Sequence, residues 1–191
     1  MSSLPRLALL ALFALTATHG AHAERADRSK PVTIQSERGG VDDRNKASVF
    51  EGRVRLTQGT LFITTDKLVV TQDADGFQKG VATGGESGLA RFRQKREGRD
   101  DYVEGEAERI EYDARTDKVR LFQRAMTRSG KDETRGEYIK YDGYTESYTV
   151  TNSADGKTTK GSGGLVTVTI WPRSAASAPA ASSSAPAPSH P

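Results

Sequence analysis

Few side chains in this chain have the types and spacing to do covalent chemistry. Cysteine is absent, and the three histidines, His19, His22 and His190, all lie near the two ends of the 191 residues. Thiolate nucleophiles, disulfides and Cys metal sites are therefore removed together. The long central region also lacks the imidazole that a Ser-His-Asp triad or a His metal centre requires. Carboxylate pairs remain, at Asp42-Asp43 and Asp100-Asp101. A glycosidase needs two carboxyls facing one another across a cleft, whereas adjacent acids in turn-rich stretches read as solvated loop residues, so no catalysis is assigned to them. Thr71 to Gly76 places Asp73, Asp75 and Gly76 at the third, fifth and sixth positions of a calcium loop. Thr71 at the first position and Ala82 at the twelfth cannot complete the ligand set, so a hairpin turn is expected and no metal. The sharpest charged feature is the run Arg91-Phe92-Arg93-Gln94-Lys95-Arg96-Glu97-Gly98-Arg99. It reads first as a solvated hairpin tip, and second as a contact for phosphates or an acidic partner through Arg91, Arg93, Lys95 and Arg96. Net charge is only +3, so bulk charge does not point to nucleic acid.

The ends of the chain explain where such groups would work. Arg6, the apolar run Leu7 to Ala17, and Ala21-His22-Ala23 have the order of a secretory signal, with export and cleavage expected after Ala23. The apolar run is shorter than the ~20 residues of a transmembrane helix. Residues 24–29 read as a flexible lead-in, and residues 173–191, built almost wholly from Ser, Ala and Pro, as a disordered tail with nothing to bury. Between them, residues 30–172 have the length of one domain, held by packing alone and needing no cofactor.

That domain reads as all-β. Apolar and polar residues alternate in Arg53-Val54-Arg55-Leu56-Thr57, Arg109-Ile110-Glu111-Tyr112 and Val166-Thr167-Val168-Thr169-Ile170. Turn signals fall at Gly39-Gly40, Gln58-Gly59, Asp75-Gly76, Gly84-Gly85, Ser129-Gly130, Asp142-Gly143 and Asp155-Gly156. A weak repeat relates the segments beginning at Asp66, Glu108 and Glu137, with equivalent positions 42 residues apart (Leu68 to Ile110) and 29 apart (Ile110 to Ile139). Stacked hairpins, each burying its apolar face against its neighbours, follow from such units.

Lys30-Pro31-Val32-Thr33-Ile34-Gln35-Ser36, Phe50-Glu51-Gly52-Arg53-Val54 through Gln58-Gly59, Asp66 to Val70, Val103 to Ala107 and Gly136 to Tyr141 carry a resemblance. Over residues 30–172 the chain resembles the OstA-like (LptA) family of periplasmic lipopolysaccharide-transport bridge proteins. The resemblance implies an open, twisted β-jellyroll, a V-shaped two-sheet solenoid of antiparallel hairpins, and a non-enzymatic carrier with lipid chains sheltered in an apolar groove. Sheltering matters because one chain of a dozen carbons costs roughly 10 kcal/mol to expose at ~0.8 kcal/mol per CH₂. Lipid contact is expected at Val32, Ile34, Val54, Leu56, Ile63, Phe92, Ile110, Tyr112, Val119, Leu121 and Ile139. Open sheets leave edges able to add a partner's strand, here Val32, Thr33 and Ile34 at one end and Val166, Val168 and Ile170 at the other. The implied partners are lipopolysaccharide, an inner-membrane LptC-like protein at the N-terminal edge, an outer-membrane LptD-like protein at the C-terminal edge, and further copies head to tail. The basic run, Trp171 and the Ser/Ala/Pro tail depart from the family pattern.

Two other classes compete. A secreted carbohydrate-binding or carbohydrate-active β-domain would present exposed aromatic platforms and an acid pair in a cleft. A self-assembling surface protein would be indifferent to lipid.

Overall fold

The computed structural model describes residue 27 and residues 29–74, 76–153 and 164–172. The expected signal segment and its cleavage site, the Asp155-Gly156 turn and the Ser/Ala/Pro tail lie outside these residues. Twelve strands run antiparallel through β1 (Thr33–Gln35), β2 (Arg38–Asp42), β3 (Ala47–Gln58), β4 (Leu61–Asp73), β5 (Gly76–Thr83), β6 (Ala90–Lys95), β7 (Tyr102–Ala107), β8 (Arg109–Asp113), β9 (Lys118–Ser129), β10 (Asp132–Asp142), β11 (Ser147–Thr151) and β12 (Thr167–Thr169). One 3₁₀ turn, Glu86–Gly88, joins β5 to β6. No helix among the described residues is long and apolar enough to cross a membrane.

The long strands β3, β4, β9 and β10 each serve two sheets. The first half of β3 pairs with β2 and its second half with β1, and β4 likewise divides its edge between β6 and β5. β9 and β10 repeat the arrangement with β8 and β7, then β11 and β12. Two sheets of eight strand segments result: β2-β3-β4-β5-β8-β9-β10-β11 and β1-β3-β4-β6-β7-β9-β10-β12. They meet along a corner where the long strands bend. At ~4.8 Å per strand the stack is about 34 Å long. This is the V-shaped jellyroll that the alternating pattern and the family resemblance implied.

The bends have a local cause. Gly52 and Arg53 interrupt the β3–β4 register with φ of 83° and 45°, and Gln123 and Arg124 bend β9 with φ of 64° and 51°. A non-glycine residue in the left-handed region costs about 1–2 kcal/mol, and an exposed ion pair stands beside each bend: Arg53 with Glu37 at 2.7 Å and Arg124 with Glu108 at 2.8 Å. Gly84 and Glu108, between the shorter strands, join the same line by a backbone hydrogen bond of 3.2 Å.

Interior side chains follow the angle of the V. Where the sheets converge, the second sheet carries the small residues Ala90, Ala107, Ala125 and Gly136. Farther from the corner it carries Leu56, Ile63 and Phe92 in one register row, facing Leu68, Ile110, Leu121 and Ile139 of the first sheet. Gly105 completes the second-sheet row, because a Cβ there would stand 2.3 Å from Phe92 Cε1 and 2.9 Å from Leu121 Cδ2.

Three hairpins share one turn. Asp42, Asp113 and Asp142 each accept backbone N–H bonds from the residues two and three further on, and Lys46, Asp117 and Glu146 each take a positive φ before the return strand. The structural repeat therefore links the β2–β3, β8–β9 and β10–β11 hairpins. The unit beginning at Asp66, taken from sequence as its first copy, differs in having two residues between its strands, β4 ending at Asp73 and β5 beginning at Gly76, where the other three have four. Gly39-Gly40, read as a turn, lies within β2, and Gly39 leaves room for the Phe50 ring, 3.2 Å from where its Cβ would be.

Gly105→Ala is expected to destabilise the protein by about 1–3 kcal/mol through overpacking, read as a lower urea midpoint. Gly40→Ala, with nothing within 4 Å of the new methyl, should stay within about 0.5 kcal/mol.

Candidate functional site

The candidate site is the interior and the mouth opposite the corner. Of the positions expected to touch lipid, Val54, Leu56, Ile63, Phe92, Ile110, Tyr112, Val119, Leu121 and Ile139 are only 0–3% exposed and form one cluster. Val32 and Ile34 pack half-buried at its N-terminal end. The greasy trough expected to lie open along its length is thus closed over its own side chains. Leaving that surface wet would cost about 25 cal/mol per Å², so the two sheets pack onto one another.

The closure is by contact rather than by pairing. At the corner four strands run continuously from sheet to sheet, but no backbone hydrogen bond among the described residues joins the rim loops of one sheet to those of the other. An ionic bridge spans the mouth among the described residues. Arg96, in the β6–β7 loop, donates to Glu146 in the β10–β11 loop, to Asp101 Oδ2 at 3.2 Å and to Ser129 Oγ at 3.0 Å. Burial alone would lower the Arg96 pKa, but the hydrogen bond and charge of Glu146 outweigh it and hold the guanidinium above its ordinary value. Gln94, the buried polar residue two positions before it, has a side-chain oxygen with no partner among the described residues.

Three further cations of the basic run are paired with carboxylates on the outer face. Arg91 pairs with Glu106 at 3.1 Å and Glu86 at 2.6 Å, which raise its pKa. Arg93 pairs with Glu104 at 3.3 Å and lies 3.8 Å over the Tyr102 ring. Lys95 pairs with Asp100 at 2.9 Å, again raising the pKa. An Arg/Glu ladder continues through Arg128 and Arg135, whose hydrogen bonds hold the Glu133 carboxyl below its ordinary range. The run expected as a solvated hairpin tip is in fact strand β6 through Lys95, with Phe92 and Gln94 buried, and only its end enters the β6–β7 loop; the four cations come together at no common point.

The acid pairs have structural partners instead, Asp100 pairing with Lys95 at 2.9 Å. Asp42 caps its turn and Asp101 serves Arg96. Asp73, in the segment that resembled a calcium loop, accepts from Gln78 and Arg115. Among the described residues no cluster of three or more metal-ligating side chains exists.

Both ends of the stack are uncapped. Among the described residues β1 and β2 pair only with β3, and β11 and β12 only with β10. The edge residues Thr33 and Ile34 lie in β1 and Val168 in β12, with Val166 and Ile170 flanking β12 and Val32 leading into β1. The C-terminal end is the more apolar: Leu165 is 91% exposed, Ile170 76% and Trp171 55%. Ahead of β1, one described side chain docks on the β3–β4 turn. Asp27 is buried and accepts bonds from the backbone and hydroxyl of Thr60, while Lys30 N donates to Asp27 O at 2.9 Å.

A jellyroll of two sheets joined along one edge, with an elongated apolar interior and free strands at both ends, is the class of protein that this geometry defines. The chain belongs to the family described as LptA/(LptD N-terminal domain) LPS transport protein, whose model matches residues 33–147. It is similar to the lipopolysaccharide export system protein LptA of Escherichia coli (strain K12), 30% identical over 112 residues that cover 59% of this chain and 60% of that protein. It is also similar to LptH of Pseudomonas aeruginosa, 29% identical over 115 residues covering 60% of this chain and 65% of that protein. The chain thus spans about 60% of the length of the curated relatives it matches. The solved structure of the same LptH, titled the LptA homologous periplasmic component of the conserved lipopolysaccharide transport device, superposes with a TM-score of 0.68 at 23% identity over 76% of this chain and 99% of that one.

Arg96→Ala should lower stability by about 1–3 kcal/mol, because Asp101 and Glu146 lose their cation. Combined with Glu146→Ala, the effects should be non-additive in a double-mutant cycle of urea midpoints. Lys95→Ala, whose partner Asp100 is fully solvated, should leave the urea midpoint where it is in the unsubstituted protein.

Proposed function

We propose that this chain is a non-enzymatic, periplasmic carrier of lipopolysaccharide that shelters acyl chains between its two sheets. The observation that carries this reading is the asymmetry of the jellyroll: four continuous strands on the corner side, an ionic bridge on the mouth side, and an apolar row between. Parting the rims exposes Phe92, Tyr112 and their neighbours, and acyl chains replace the contacts those residues make with one another. The exchange of apolar surface for apolar surface is nearly neutral, which suits a carrier that must also release its load. The saccharide head stays in water at the mouth. The family and the similar LptA and LptH proteins support the same reading.

The uncapped ends supply the bridge. A partner's strand adds to β1 or to β12 by backbone hydrogen bonding, and a head-to-tail contact of unlike edges propagates rather than closes. An LptC-like protein would take the N-terminal edge, an LptD-like protein the C-terminal edge, and further copies would lie between.

A photo-crosslinking residue at Phe92 or Tyr112 in the full chain is expected to capture lipopolysaccharide, while one at the outward Lys79 should not. A folded protein that captures none at either interior position would defeat the proposal. Deleting residues 165–170 is expected to leave a folded β-protein by circular dichroism while abolishing end-to-end assembly in light scattering. Undiminished assembly would count against strand addition at β12.

A further inference from the structure

We infer that the lip of the mouth carries a binding site for a phosphorylated saccharide, built by Trp171, Lys131, Arg99 and Arg96 with the carboxylates of Asp101 and Asp132. The inference rests on the carrier reading above and assigns to that cargo a second point of recognition, separate from its acyl chains.

The site is a cavity of about 280 Å³ lined by these residues with Ser129 and Pro172. Its volume is at the lower end of small-ligand pockets, the scale of one sugar unit rather than a whole oligosaccharide. The register explains how a tryptophan comes to be there. Thr169 opposes Glu133 in the β12–β10 pair, so two residues further on Trp171 reaches the β9–β10 turn. Its backbone N–H donates to Asp132 Oδ1 at 2.8 Å, and its ring lies 6.0 Å from Lys131 Nζ. The ring is more than half exposed, with no role in the core.

The charges differ from those on the rest of this face. Arg91, Arg93 and Lys95 each have a carboxylate partner, but Arg99 and Lys131 have none among the described residues. Two uncommitted cations beside an exposed indole offer a phosphate two charge-assisted contacts. The indole offers its face to the C–H side of a pyranose. The carboxylates of Asp101 and Asp132, which line the cavity, offer acceptors to sugar hydroxyls. An apolar ligand would leave these groups desolvated, and an unphosphorylated sugar would leave the cations unused.

Position links the site to the interior. Arg96 is both a wall of the cavity and the residue that bridges the mouth to Glu146. Gln94, two residues before it, and Val103, two residues after Asp101, face the interior. A lipid whose chains lie between the sheets near Val103 places its anionic head at this lip. A phosphate that draws Arg96 away from Glu146 then loosens the ionic tie across the mouth.

Trp171 is the sole tryptophan in the chain, so its emission reports on this cavity alone. The probe is the phosphorylated oligosaccharide left when every acyl chain is removed from lipopolysaccharide, titrated into the full chain. A saturable change in emission is expected, at least tenfold weaker after phosphatase treatment of the sugar, and weaker to the same degree in the R99E/K131E double variant. Inorganic phosphate should give no saturable change. An unchanged emission, an equal response to the dephosphorylated sugar or to inorganic phosphate, or an unaffected double variant would each overturn the site. Should the sugar response be absent while crosslinking at Phe92 still captures the whole lipid, only the site falls. Should both be absent, the carrier reading falls with it.

Discussion

Everything in this fold depends on a bend. Four strands are long enough to belong to two sheets, and they do so because their backbones turn sharply at a common line. Gly52 makes one such turn without strain, but Arg53, Gln123 and Arg124 adopt a left-handed backbone as ordinary L-residues. The ion pairs of Arg53 with Glu37 and Arg124 with Glu108 sit at the places where that strain is held. With the corner fixed covalently, the opposite edges are free to be a mouth, and the interior tapers from alanines at the corner to Phe92, Tyr112 and Leu61 beyond it.

A β-protein closed by hydrogen bonds all round would have to break a ladder to admit anything between its sheets. Here the ladders run across the stack and stop at both rims, so opening the mouth leaves every one intact. The tight core is thus compatible with the proposed carrier role, since the apolar side chains offer acyl chains the same contacts that they make with one another. The outer face contributes differently: Arg93, Glu104, Arg128, Glu133 and Arg135 form a ladder of alternating sign that keeps a long exposed sheet wet.

Much of this was legible in the residues. Alternation marked β3, β8 and the β12 segment, and nine of the residues chosen as lipid-facing are core residues of the described fold. The turn chemistry of Asp142-Gly143 and Gln58-Gly59 placed two hairpins. What stayed hidden was non-local. Gly39-Gly40 looks like a turn by composition, and only the Phe50 ring, from the neighbouring strand, explains glycine in β2. Nothing in the types of Gln123 and Arg124 announces a bend, because the strain is imposed by the sheets on either side. The carboxylate partners of Arg91, Arg93 and Arg96 come from strands and loops far along the chain, so the basic run looked more available than it is. Trp171 had no reading at all until the β12 register set it beside Lys131.

The recurring Asp-capped hairpin bears on how such a molecule acquires its dimensions. Each two-strand rung is a nearly self-contained segment with its own turn, and inserting or removing one would alter the stack by about 9.5 Å. Neither terminal edge would change. Reach is therefore adjustable in fixed increments by duplication of a short stretch of gene, independently of what binds at either tip, and a protein that must span a gap gains a built-in unit of measure.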